Sequence, residues 1–237
     1  MGASTEYVTL LASLPALGPI LAAKNAPING SRLRDRLKML RPEHQQEIEA
    51  AAALLAWSRL RLDHTDADLV GRARRVIPAL RSPLLAKLTI ERLELRTVMA
   101  ALRRRHSGQD APPVGELWGY GRFVTKIAAR WREPGFGLER SFPWVVAARE
   151  KLERGDTAGL ERIALEAAWR QAARMQEGHQ FDFEAVALYV IRWNILDRWT
   201  RYDAEAAAAR FSDLVDAALK AAPAYSGAST VTAGADT

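Results

Sequence analysis

The chain has 237 residues, of which 49% are hydrophobic and 26% charged, and this composition is typical of a folded protein with one large domain or two small ones. It carries a net charge of +6, mostly through arginine, and it contains no cysteine. The lack of cysteine excludes disulfide scaffolds, thiol catalysis, cysteine-ligated zinc and iron–sulfur clusters, and it fits a reducing cytosol.

The N-terminal segment is apolar but lacks the pattern of an export signal. Residues 7–14 fit a strand by their alternation and a helix by their leucine and alanine content. The segment has no basic leader, carries Glu6, and is interrupted by Pro15 and Pro19. We therefore expect no signal peptide. Because the chain has no run of eighteen apolar residues, we also expect no membrane-spanning helix.

Helix-start signals predict four helices in the first half of the chain. Ser31 is placed to cap the first, and Pro42 occupies a favoured first position of the second. The stretch from Thr65 to Asp68 resembles a capping box, and Ser82 precedes a proline at the start of the fourth helix. The expected helices cover residues 31–40, 42–62, 66–77 and 83–105.

The second half follows a break at residues 106–113, where Gly108 and a pair of prolines favour a linker. Helices are expected over residues 114–132, 143–155 and 157–177. Within the first of these, Gly119 and Gly121 indicate either close packing against another helix or a late start. A further helix covers residues 181–202, and Asp203 is expected to cap the last one.

These patterns predict an all-α fold, a multi-helix array of about eight or nine helices, with two packed helical subdomains as one possible arrangement. The expected divisions are an N-terminal helical half (1–107), a C-terminal helical half (114–222) and a disordered tail (223–237). Segment 181–202 is apolar on more than one face, so we expect other helices around it. The charges inside it, on Arg192, Asp197 and Arg198, need partners or a route to solvent.

Motifs for catalysis or ligand binding do not stand out in this sequence. The four histidines form no HExxH motif and no other metal-ligand spacing. A phosphate-binding glycine loop, a dinucleotide fingerprint and a nucleophile elbow are also missing. We therefore expect no catalytic residue, no cofactor, no metal and no enzyme.

Two stretches at opposite ends of the chain carry distinctive patterns. Near the N-terminus, an aromatic and apolar run begins at Tyr7 and closes in Leu14-Pro15. In the C-terminal half, an aromatic pair with an acidic residue precedes an apolar helix that ends in Arg198-Trp199. The aromatic and acidic residues are Phe181, Phe183 and Glu184, and the helix continues through Trp193 and Asp197 towards Asp203.

Together these stretches resemble a bacterial family of uncharacterised proteins encoded beside V-type ATPase subunits. Members of that family typically open with an aromatic, apolar run that closes in Leu-Pro after Ser or Gly, and their C-terminal helix ends in Arg-Trp-x-x-Leu-Asp. Here Tyr202 stands where leucine is common, so the second motif fits loosely. The segment from Leu117 to Trp131 is a third, weaker match to a tryptophan-containing middle helix.

The resemblance implies a non-catalytic structural or assembly component of a bacterial V/A-type rotary ATPase. Its nearest functional analogue is the all-helical, funnel-shaped adapter of these ATPases (the eukaryotic d subunit), which couples the membrane ring to the central shaft, and this analogy is one of fold alone. The implied partners are V-type ATPase subunits of the rotor shaft or the membrane ring, with no specific nucleic acid. The implied location is cytoplasmic, peripheral to the inner membrane through the complex. The implied partner-binding residues are Tyr7, Leu14, Pro15, Trp193, Asp197, Arg198, Trp199 and Asp203.

Two other classes of function stay open. The arginine-rich clusters lie on separate helices, and they would form a basic module for nucleic acid or an anionic membrane surface if they converged on one face. A pocket between helices, with Arg192 and Asp197, would instead indicate an α-helical enzyme. Binding that weakens steeply with salt would favour the first class, and a deep cleft lined by convergent polar groups the second.

Overall fold

The computed structural model describes the backbone of residues 6–55 and 65–221, and side chains as far as residue 202. Within these ranges the chain is all-α, as predicted, with nine α-helices and no β-strand. None of these helices combines the length and the apolar character that crossing a membrane requires. The helices are α1 (Val8–Ala12), α2 (Gly30–Leu37), α3 (Pro42–Leu55), α4 (Asp66–Val76), α5 (Pro83–His106), α6 (Val124–Ala129), α7 (Val145–Glu153), α8 (Thr157–Arg174) and α9 (Phe183–Ala221).

The contacts divide the chain into two units. Residues up to Arg201 form one, and residues from Tyr202 onward form the other, whose described part is the continuation of α9 to Ala221. The predicted boundary between two halves at residues 108–113 stays a prediction. In the structure, α5 packs against α3 and also against α7 and α8, which lie on the other side of that linker. The predicted tail (223–237) and the end of the predicted helix 42–62, from residue 56 onward, lie outside the described residues.

The hydrophobic core is organised around α5 and the first part of α9. Leu88, Leu95 and Val98 of α5 are fully buried in the same cluster as Val186 and Leu188 of α9. Both helices bury side chains on most of their circumference, as expected for the apolar pattern of segment 181–202. Helices α1, α3, α7 and α8 contribute to the same cluster, so the first part of α9 is surrounded by other helices, as predicted.

Local capping explains where several helices begin. Thr65 and Asp68 form the predicted capping box of α4, and Ser82 caps α5 by accepting a hydrogen bond from the backbone N–H of Leu85. The predicted cap of α2 is wrong: Asn29 caps it, and its Oδ1 accepts from the N–H of Arg32 at 2.9 Å. Asparagine is among the strongest N-cap residues, and the helix then starts before Ser31 rather than after it.

The predicted helix over residues 114–132 is wrong for its first ten residues, because only α6 (Val124–Ala129) is helical in this stretch. The preceding loop lies against α5, where Thr97 exchanges hydrogen bonds with the N–H and the carbonyl of Tyr120. A Cβ on Gly119 would lie 2.5 Å from the Thr97 side chain, and one on Gly121 would lie 2.3 Å from Glu94. Both interpretations expected for these two glycines are therefore confirmed: the helix starts late, at Val124, and the glycines pack closely against α5 from the preceding loop.

The predicted last helix, with Asp203 as its N-cap, is also wrong, because α9 runs without a break from Phe183 to Ala221. The sequence between these residues contains neither proline nor glycine. Asp203 therefore has no helix start to cap, because nothing before it interrupts the backbone hydrogen bonds of α9.

Candidate functional site

The N-terminal segment (residues 6–17) lies against the beginning of α9. The backbone N–H of Tyr7 donates to the carbonyl of Phe181 at 2.9 Å, and the hydroxyl of Tyr189 donates to the carbonyl of Pro15, also at 2.9 Å. The second bond joins positions that are 174 residues apart in the chain. The fold therefore brings the two stretches that carry the family resemblance side by side.

Tyr7 is the anchor of this segment and is only 4% exposed. Its hydroxyl lies 2.7 Å from Nδ1 of His44, whose ring stacks on Phe183 with centroids 4.1 Å apart. Arg41 forms an ion pair with Glu6 at 2.6 Å and contacts Nε2 of His44 at 3.1 Å. An arginine can only donate, so Nε2 accepts, and Nδ1 carries the proton that it donates to the Tyr7 oxygen. The segment is thus tied to α3 as well as to α9.

A buried serine connects the starts of three helices behind this anchor. The backbone N–H of Ser82 donates to Oε1 of Glu47 at 2.7 Å, and its hydroxyl donates to Oε1 of Glu184 at 3.0 Å. Glu47 is only 7% exposed, and this bond satisfies a carboxylate that would otherwise be costly to bury. The start of α5 therefore fixes the positions of α3 and α9 relative to each other.

Three potential metal ligands lie at the start of α9. Donor atoms of His179, Asp182 and Glu184 are within 4.8 Å of one another. Asp182 accepts from the N–H of Ala185 as a helix cap and lies 2.6 Å from Nδ1 of His179, while Glu184 accepts from Ser82. These hydrogen bonds account for the proximity of the three side chains without a metal ion.

A surface groove opens between the N-terminal segment and α9, which we call the α1–α9 groove. Its volume is about 420 Å³, and its apolar walls include Leu11, Leu14, Pro15 and Leu17. Its polar side carries groups from the loop after α8 and from α9, namely Gln176, His179, Gln180, Tyr189 and Arg192. Burial raises the pKa of Tyr189 to about 12, consistent with a hydroxyl committed to the Pro15 carbonyl.

Arg192 is the cation of this groove, and it is held by neutral groups. Its guanidinium lies 4.2 Å from the ring centroid of Trp169 and donates to Oε1 of Gln176. Its Nε is buried and has no hydrogen-bond partner among the described residues. Burial lowers the pKa of Arg192, and no described carboxylate lies close enough to oppose this shift. Arg192 thus keeps a partly desolvated positive charge beside the groove.

The predicted partner-binding residues further along α9 are held by internal contacts. The indole Nε1 of Trp193 donates to the carbonyl of Ile28 at 2.8 Å, and the side chain is 8% exposed. Arg198 forms an ion pair with the buried Glu161 of α8 at 2.6 Å. The pKa of Arg92 is lowered to about 10, mainly by burial and to a smaller extent by the positive charge of Arg198. Each of these contacts gives its residue a part in holding the fold together.

The remaining predicted residues of α9 differ in exposure. Asp197 pairs with Arg201 on the helix surface, one turn along. Trp199 is half-buried against the core, and its Nε1 is buried without a hydrogen-bond partner among the described residues. The side chain of Asp203 lies outside the described residues, although its backbone is within α9.

The structure therefore places Tyr7, Leu14 and Pro15 each beside the start of α9, while Trp193 and Arg198 contact other parts of the fold. Sequence reasoning missed Trp169, Gln176 and Tyr189 as parts of the site, and the one available signal was the charge of Arg192 inside an apolar helix. The role of each predicted residue in partner binding stays a prediction. A comparison with protein-family models, with curated proteins and with solved structures finds no match for this chain.

Proposed function

We propose that this protein is a non-catalytic structural or assembly component of a bacterial V/A-type rotary ATPase, with a role similar to that of the helical adapter between the membrane ring and the central shaft. The observation that carries the proposal is the contact between the two stretches that resemble the ATPase-associated family. Tyr7 bonds to Phe181, and Pro15 bonds to Tyr189, so residues far apart in sequence form one continuous surface. A shared binding surface gives a physical reason for both motifs.

Exposed apolar side chains on this surface support a partner-binding role. Val8 is 40% exposed and Phe181 is 38% exposed, and each lies within one of the two stretches. Phe181 also lines the α1–α9 groove together with Leu11 and Leu14, and contiguous exposed apolar area of this kind marks protein interaction sites. An adapter would also need long, stiff helices, and α5, with 24 residues and a length of about 36 Å, is consistent with that need.

Charge supports the same kind of partner. The chain carries a net charge of +6, and complementary charge accelerates association and orients the partners. An acidic surface on a shaft protein or on the loops of the membrane ring would supply that complement. The same charge would also attract nucleic acid or anionic lipid, so the experiment must separate these outcomes.

The test is affinity purification of the full-length protein from its own cells, followed by mass spectrometry and nucleic-acid quantification. The tag belongs at the C-terminus, because the backbone of Tyr7 is part of the surface under test. We expect V-type ATPase subunits in the eluate, at near-stoichiometric levels for a structural component and at trace levels for an assembly factor. Recovery of nucleic acid or unrelated proteins without ATPase subunits would reject the proposal.

A matched pair of variants connects the interaction to this surface. Val8→Ser combined with Phe181→Ser removes two exposed apolar side chains from the proposed interface. Val114→Ser removes a fully exposed one from the linker region and serves as the control. We expect the double variant to lose the ATPase subunits and the control to retain them, with both proteins showing wild-type circular dichroism. Equal recovery by the two variants would place the interface elsewhere.

A further inference from the structure

The α1–α9 groove combines an apolar wall with a single cation. Leu11, Leu14 and Leu17 are each only partly buried, so their side chains have apolar surface left to cover. Arg192 is the one arginine or lysine among the described residues that line the groove, and none of those lining residues is acidic. The site therefore offers hydrophobic area and one positive charge to whatever enters it.

The setting of Arg192 prepares it for a carboxylate. The Trp169 ring and the Gln176 amide fix the guanidinium in place, so little side-chain entropy remains to be lost on binding. Neither group neutralises its charge, and the described part of the chain brings no carboxylate into contact with it. A planar, partly desolvated and immobilised guanidinium matches the two oxygens of a carboxylate.

The single positive charge of the groove favours a carboxylate over a phosphate group. Phosphate groups of nucleic acids or lipids carry higher charge density and are usually held by several cations or by a row of backbone N–H groups. Here a single guanidinium stands beside leucine side chains, and the neighbouring His179 is already paired with Asp182. One negative charge next to an apolar side chain, as in a protein segment, fits this arrangement better than a phosphate.

We propose that the α1–α9 groove binds a segment of a partner protein in which an aspartate or glutamate is flanked by leucine-like side chains. The carboxylate contacts Arg192, and the apolar side chains cover Leu11, Leu14 and Leu17. This inference rests on the proposed function only in requiring a protein partner, and it does not depend on which complex supplies the segment. The proposed occupant is a segment of another protein, and the test below also detects binding of a second copy of this chain.

The test uses the full-length protein and two blocked peptides, acetyl-Ala-Leu-Asp-Leu-Ala-amide and the same peptide with Asn in place of Asp. The uniformly ¹⁵N-labelled protein is titrated with each peptide, and the indole N–H of Trp169 is followed by NMR after assignment with Trp169→Phe. Trp169 is a suitable reporter because its ring lies directly against the Arg192 guanidinium. We expect saturable shifts with the Asp peptide and binding at least about fivefold weaker with the Asn peptide.

Variants separate the groove from general electrostatic attraction. Arg192→Gln should weaken binding of the Asp peptide by about fivefold or more and remove its preference over the Asn peptide. Arg154→Gln changes the net charge by the same amount at an exposed site on the end of α7, and it should bind as the wild type does. Thermal unfolding of both variants verifies that they are folded.

Three results would overturn the proposal. These are equal affinity for the two peptides, unchanged affinity in Arg192→Gln, and no shift of the Trp169 signal at millimolar peptide. Shifts that grow with protein concentration without peptide, together with dimers in sedimentation, would assign the groove to a second copy of this chain. If the peptide binds but ATPase subunits are not recovered from cells, only the proposed function is rejected. If ATPase subunits are recovered but the peptide does not bind, only the groove proposal is rejected.

Discussion

Two arginines on α9 are six positions apart and have opposite surroundings. Arg198 pairs with the carboxylate of Glu161, which is only 7% exposed. Arg192 stacks on Trp169 and donates to a neutral amide, with no described carboxylate in contact. The distance along the helix is only about 9 Å.

The difference indicates two separate roles along one helix. A cation paired with a buried carboxylate is needed for stability, because removal of one partner leaves the other charged and desolvated. A cation held by neutral groups leaves no buried charge unpaired when it is removed, so its removal should cost the fold less. We therefore expect mutations at the two positions to separate stability from binding.

The largest effect is expected for Arg198→Ala. Its loss leaves Glu161 buried beside α9 without this guanidinium, and the free energy of unfolding should fall by about 3 kcal/mol in urea denaturation. Any loss of partner binding in this variant would therefore accompany a loss of stability. Glu161→Gln combined with Arg198→Ala should recover part of the deficit, and an unchanged unfolding midpoint in Arg198→Ala would contradict the comparison.

A smaller effect is expected for Trp193→Phe, next to Arg192 in sequence. The substitution keeps most of the buried ring but removes the 2.8 Å hydrogen bond to the carbonyl of the partly buried Ile28. The expected loss is about 1–2 kcal/mol in the free energy of unfolding. Wild-type stability would show that this hydrogen bond adds nothing to the fold.

Tyr189→Phe should cost about 1 kcal/mol, because it removes the hydrogen bond to the Pro15 carbonyl. Its effect depends on pH with a defined sign. Burial raises the pKa of Tyr189 from 10.0 to about 12, so the stabilising contribution is complete below pH 10 and is lost as the pH rises towards 12. The wild type should therefore show one tyrosine with late tyrosinate absorbance that the variant lacks. Simultaneous titration of all tyrosines below pH 11 would contradict this.

The smallest effect, with opposite sign, is expected for Arg192→Met. Replacing a partly desolvated cation with an apolar side chain of similar length should raise the free energy of unfolding by up to about 1 kcal/mol. Arg198→Met provides the matched control and should destabilise the protein. If both substitutions destabilise it equally, then Arg192 is a structural residue and the comparison fails.

Local signals predicted much of this fold, and long-range contacts explain the failures. The capping residues Thr65 and Ser82 act within one helical turn, so their roles are visible in the sequence. The sequence predicts a helix at Gly119 and Gly121, where the structure has a loop. The loop's partners, Thr97 and Glu94, lie more than 20 residues earlier in α5, and a single sequence does not show that they meet it.

The candidate site shows the same limit. The apolar pattern of residues 181–202 correctly predicted a helix surrounded by others, and it marked Arg192 as a charge in need of explanation. That Trp169 and Gln176 hold this arginine, while Glu161 holds Arg198, depends on how α8 lies along α9. Sequence periodicity contains no information about which acidic residue of one helix meets which basic residue of another.

The bond between Pro15 and Tyr189 also has a consequence for synthesis on the ribosome. At roughly 5–20 residues per second, the 174 positions between them take about 9–35 s to translate. During that interval the leucines of the N-terminal segment have no α9 to pack against. A chaperone or an assembly partner could therefore bind this apolar segment before α9 is made. Truncated chains that end before α9 would leave the segment exposed.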